Sequence, residues 1–136
     1  MDKFTKQFIE KQLMDYPKMD EYIMHRRLEL KYPIGQEDEN IGGSSSGNIS
    51  NPTERTVMTI HSDKRLTQLE KTKDAIEKVL DTLDTNAYAL VELRYWTKPQ
   101  TRTWVGVAKE IGYSERQCYN VRDLIIENIG KELGMA

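Results

Sequence analysis

Residues 103–126, TWVGVAKEIGYSERQCYNVRDLII, decide the fold. Thr103 is a residue type that caps a helix, and the run from Trp104 to Ile111 has helical spacing. Gly112 permits a tight turn. Ser114 and Gln117 then form a capping box, each satisfying a free backbone donor of the other. The second helix is expected to run from 115 to about 133 and to end at Gly134. Val107, Ile111, Tyr113, Cys118 and Val121 fall at the inward positions of two helices packed across the turn. Ala108 stands where the helices approach most closely. Gly106 is the exception, costing about 0.8–1 kcal/mol against alanine inside a helix. The spacing predicts a helix–turn–helix.

At 100° per residue, Cys118, Val121, Ile125 and Ile129 share the buried side of the second helix. Arg116 and Asn120 point directly away, with Gln117 and Tyr119 on the flanks. Such side chains suit base reading: arginine grips guanine, asparagine or glutamine grips adenine, and tyrosine touches a thymine methyl or a phosphate. Lys98, Arg102, Thr103, Ser114 and Arg122 are the candidate phosphate contacts. The whole chain is slightly acidic, with 20 basic and 22 acidic residues. The local balance differs. Residues 94–122 hold Arg94, Lys98, Arg102, Lys109, Arg116 and Arg122 against Glu110 and Glu115 only. That basic stretch points to double-stranded DNA.

Working outward, Thr85 is placed to cap a helix through Trp96, followed by a proline-containing loop at 98–103. Upstream, Asn51 and Pro52 suit a helix start, and neither proline nor glycine recurs before Pro99. One long helix is expected from about 52 to 83, within a segment 51–84. Leu66, Leu69, Ile76, Leu80 and Leu83 form its seam, with Lys73 as the polar exception. The seam suits a bundle helix or a dimeric coiled coil, and it makes a homo-oligomer an expectation. Residues 35–50 are acidic, Gly- and Ser-rich, and read as a flexible linker. Their GG and SSSG lack both a preceding strand and a Gly-Lys-Ser/Thr ending, so they do not read as a nucleotide loop. Residues 1–34 read as a helical hairpin. One helix carries Phe4, Phe8, Ile9 and Leu13; the other carries Met19, Tyr22, Ile23 and Leu30, with Asp15-Tyr16-Pro17 between them. The fold class is all-α, with the DNA-binding part at 85–136.

Composition narrows the function classes. The 38% hydrophobic share supports one modest core, and no apolar run is long enough to cross a bilayer. The N-terminal residues do not form the apolar stretch of a secretory leader. A single cysteine, Cys118, rules out an internal disulfide. With only His25 and His61 besides, no structural zinc site is expected, nor any cofactor. A cytoplasmic location in the host cell is the expectation. No histidine lies near a cysteine or serine nucleophile, so the chain does not read as an enzyme. Cys118 reads as a small core residue.

The motifs also carry a resemblance. Glu92-Leu93-Arg94-Tyr95-Trp96, Thr103-Trp104 through Ala108, and Ile111-Gly112-Tyr113-Ser114 with the helix that follows are similar to region four of bacterial sigma factors. Asp15-Tyr16-Pro17, Asn40-Ile41-Gly42-Gly43 and Ile49-Ser50-Asn51-Pro52-Thr53-Glu54 resemble the ArpU/RinA family of phage transcriptional regulators, in the same order and over nearly the whole chain. The resemblance implies a phage or prophage late-operon activator that binds promoter DNA, with host RNA polymerase as a partner. The loop at 97–103 is longer than in the sigma pattern, and Gly106 replaces a charged helix former. A second class, a DNA-packaging protein of the small terminase subunit type, also joins such a motif to oligomerising helices.

Overall fold

In the computed structural model, residues 1–32, 52–98 and 103–136 are described, and they contain seven α-helices and no strand. The all-α expectation holds. The expected linker at 35–50 lies outside the described residues, as do Asn51 and Arg102. The chain divides into two units, Met1–Pro17 with Lys71–Ala136, and Lys18–Glu70.

The first unit contains α1 (Lys3–Asp15), α5 (Thr85–Val91), α6 (Trp104–Ile111) and α7 (Glu115–Glu132). Asp2 caps α1, its carboxylate accepting from the Thr5 amide at 2.8 Å, and that bond holds the Asp2 carboxyl below its ordinary range. Ile9 and Leu13 are the buried residues of α1. The helix packs on α7 and on the turn that follows α5. Gly130 makes the crossing with α7 close: a Cβ there would lie 2.6 Å from Met1 Cε and 3.2 Å from Ile9 Cδ1. A glycine inside a helix is unfavourable by about 1 kcal/mol, and here the missing side chain gives α1 its seat.

Asp84, one residue before the expected Thr85, caps α5 by accepting from the Ala87 amide at 2.8 Å. After Val91 the helix widens into one π-turn, Glu92–Trp96. The widened turn shifts the register, and successive aromatic residues both find partners on α1. Buried Tyr95 donates to Glu10 at 2.6 Å, and the Trp96 indole N–H donates to the Leu13 carbonyl at 2.8 Å. Trp96 also stacks on Tyr16, ring centroids 5.5 Å apart. Burial, together with the bond to Glu10, pushes the Tyr95 hydroxyl far above its ordinary pKa.

In the second unit, α2 (Met19–Lys31) packs against α3 (Pro52–Ser62). The helices expected within 1–34 form, with Met19 and Ile23 buried, but Tyr22, expected inward with them, is exposed, and α1 packs within one unit and α2 within the other.

The single long helix expected at 52–83 is corrected: α3 ends at Ser62, and α4 runs from Lys64 to Leu80. The break is chemical. Asp63 Oδ2 accepts the Leu66 amide at 2.7 Å, a capping bond that starts a new helix without proline or glycine. Arg26 fixes that carboxylate with two bonds, Nε to Oδ2 at 3.0 Å and Nη2 to Oδ1 at 2.7 Å. The Arg26 bond, then the Leu66 amide, lower the Asp63 pKa to about 2. A second ion pair, Arg27 to Glu70 at 3.0 Å, joins α2 to α4 in the same unit. Of the predicted seam, Leu66, Ile76 and Leu80 are buried, whereas Leu69 and Leu83 are half-buried.

Candidate nucleic-acid interface

The candidate site lies on α6, α7 and the π-turn, all in the first unit. Thr103 caps α6, its hydroxyl accepting from the Gly106 amide at 3.1 Å. The helix stops at Gly112, whose φ of 88° is left-handed. Its amide and that of Tyr113 both donate to the Ala108 carbonyl, at 2.9 and 3.1 Å, and close the turn. Ser114 then caps α7 by accepting from the Gln117 amide at 3.1 Å. At the far end, Gly134 (φ 77°) and Met135 close α7 with bonds to Lys131 and Gly130. The two turns are the same device.

Packing across the turn follows the predicted periodicity. Val107 and Cys118 are fully buried, Ala108 nearly so, and Ile111, Tyr113 and Val121 are half-buried. Ile125, Ile126 and Ile129 continue the buried side of α7. Burial raises the pKa of the Cys118 thiol, so it sits as a small neutral core group.

The opposite face of α7 carries Arg116 and Asn120, with Gln117 on its flank, all three exposed in the first two turns. Tyr119, expected to read bases, and Arg122, expected to contact phosphate, are half-buried and held by neighbours. Tyr119 donates to Glu115 at 2.8 Å, and this bond raises its pKa. Its ring meets Trp104 edge-on, centroids 5.8 Å apart. The Arg122 guanidinium lies 5.4 Å from the Trp104 ring centre and 5.0 Å from that of Tyr119, and bonds Asp123 at 2.9 Å. Arg94, from the π-turn, lies 5.0 Å from the Trp104 ring centre. Tyr95 meets the same indole edge-on at 6.2 Å. Trp104 therefore gathers Arg94, Tyr95, Tyr119 and Arg122 around one ring.

Neither Trp104 as a platform nor Arg94 beside it was among the predicted site residues. The signal was present only as aromatics at 95, 96, 104 and 119 interleaved with arginines at 94 and 122. Lys98, Thr103 and Ser114 are exposed, while Arg102 lies outside the described residues. Among the described residues, no group of three His, Cys, Asp or Glu is arranged to hold a metal ion. No described helix is long and apolar enough to cross a membrane.

The family described as "Protein of unknown function (DUF722)" matches residues 6–131. The chain belongs to that family. It is also similar to the protein named "Transcriptional activator rinA" of Staphylococcus phage phi11. The two are 26% identical over 126 residues, which span 93% of this chain and 88% of the relative. No solved structure matches the chain.

Proposed function

We propose that this chain is a sequence-specific DNA-binding transcription regulator of a phage or prophage. In this reading it activates a late operon by binding promoter DNA through α7 of a sigma region four-like helix–turn–helix in 85–136. Host RNA polymerase is its further partner, and the ArpU/RinA resemblance supplies the same assignment. One observation carries the reading. The first two turns of α7 present Arg116 and Asn120 to solvent opposite the fully buried Cys118, with Gln117 exposed on the flank. Long polar side chains in that position reach base edges when a helix enters the major groove. The relative named as a transcriptional activator supports the same direction.

Roles divide by geometry. Arg116, Gln117 and Asn120 read bases, and Tyr119 adds a contact from its place against Trp104. Arg122 meets phosphate from a stacked position, so little side-chain freedom is lost on binding. Thr103 and Ser114 offer phosphate the N-terminal ends of α6 and α7. Lys98 and Arg102 supply positive charge for phosphate.

Selection of bound duplexes from a random pool gives the preferred site, and a salt-resolved affinity series on that site and a scrambled one tests the roles. Arg116→Ala or Asn120→Ala is expected to cost about 1–3 kcal/mol on the preferred site and little on the scrambled one. Lys98→Ala is expected to weaken both alike and to lower the salt slope by roughly one ion. Equal losses on both sites for the α7 variants would remove base reading from this helix.

A further inference from the structure

Helix α2 is apolar on two sides, and only one of them is packed by the described residues of its unit. Met19 and Ile23 are 1% and 7% exposed, with Arg26 and Leu30 half-buried on the same side. Met24 and Leu28 form a second stripe at i and i+4, roughly opposite the first at 100° per residue, and Tyr32, the residue that ends α2, follows them. They are 55%, 47% and 66% exposed. A solvated helix face normally carries charge, so three large apolar side chains ask for a cover.

Charges beside the stripe identify the cover. Glu21 and Lys31 are both exposed, one near each end of α2. They lie at equal distances along the helix from a point level with Arg26, and Met24 and Leu28 are symmetric about that point too. An antiparallel copy centred there puts Met24 against Leu28 of the second copy, and Glu21 against Lys31 of the second copy. Each contact then occurs twice. A parallel copy would instead set Glu21 against Glu21 and Lys31 against Lys31. Among the described residues, Glu21 meets His25 at 3.8 Å, and Lys31 lies 5.6 Å from the Tyr32 ring centre. Neither geometry prevents the side chain from turning to a partner.

We propose that a second copy of this chain docks antiparallel on the Met24–Leu28–Tyr32 face of α2, forming an isologous dimer clamped by two Glu21–Lys31 pairs. The proposal gives the self-association expected from the sequence a surface other than the Leu66–Leu83 seam, and it depends on no DNA contact.

The test is the mass of the full chain by sedimentation across concentration, without DNA, so its outcome is separate from that of the DNA-binding reading. A concentration-dependent dimer is expected. Leu28→Asp should give a monomer with unchanged helical circular dichroism, because Leu28 supports no core. Glu21→Lys alone and Lys31→Glu alone each turn both ion pairs into like-charge contacts, and each should raise the dissociation constant about tenfold at low salt. Glu21→Lys combined with Lys31→Glu should restore it. In a Met24→Cys, Leu28→Cys chain, oxidation should link position 24 of one copy to position 28 of the other; the native Cys118 is fully buried. A chain that stays monomeric at roughly 100 µM, a dimer indifferent to Leu28→Asp, or a charge swap that fails to rescue would each overturn the proposal.

Discussion

One indole orders four other side chains around it, and this is the scale at which the sequence was hardest to read. Periodicity shows which side of a helix is buried; it does not show which exposed-looking side chains fold back on a neighbour. Arg116 and Arg122 are both arginines on α7, yet Arg116 is exposed whereas Arg122 lies against Trp104 and Tyr119. The difference depends on an aromatic residue from the preceding helix, a tertiary fact that helical spacing does not contain. Gly106 was legible as a local cost, and the structure gives that cost a consequence. Among the described residues, a Cβ at Gly106 would meet only Thr103 Oγ1, at an ordinary 3.6 Å. Gly106→Ala is therefore expected to stabilise the chain by about 0.5–1 kcal/mol, through lower backbone entropy in the unfolded state, with the Thr103 cap intact. Urea denaturation of the two proteins measures this directly; an unchanged or lower midpoint would mean that the α6 start tolerates no added methyl.

At the scale of elements, caps and turns were the most legible features. Thr103, Gly112, Ser114 and Gly134 each do what their residue types predict, because these signals act within four or five residues. Asp63 shows where local reading ran out. Aspartate inside an apolar-periodic run is compatible with an exposed helix position, and only Arg26, 37 residues away, fixes it as a cap. The same ion pair makes the junction sensitive to acid. The folded-state Asp63 pKa is lowered to about 2 from the ordinary 3.8, so its contribution is complete above about pH 4 and is lost as pH falls toward 2. Helix content and thermal stability of the chain are expected to drop across that window. In Asp63→Asn that part of the drop should be missing, and its stability at neutral pH should already be lower. Parallel acid titrations by circular dichroism check the expectation, and coincident relative losses would assign the acid sensitivity to other carboxylates.

For the whole molecule, the helical class was plain from the sequence, but the grouping of helices was not. Residues 85–136 read as self-contained because the turn motif is contiguous. Yet Tyr95 bonds Glu10, Trp96 bonds Leu13, and Gly130 makes room for Ile9. No periodicity in 85–136 announces a partner some eighty residues upstream. A fragment comprising 85–136 alone is accordingly expected to lack a cooperative thermal transition, while the full chain shows one. A fragment that melts as sharply and as high as the full chain would make α1 an accessory rather than a wall of that unit.

The seat of α1 on α7 also has a consequence in time. During synthesis α1 is made before α7, and Gly130 is added roughly 120 residues after Ile9, a delay of about 6–24 s at ordinary elongation rates. Throughout that interval Ile9 and Leu13 have no α7 to cover them. The unit that carries the candidate interface is thus assembled only after α7 has been made, so a ribosome-bound, partly made chain carries α6 before it carries the complete α7 needed to bury the unit's core.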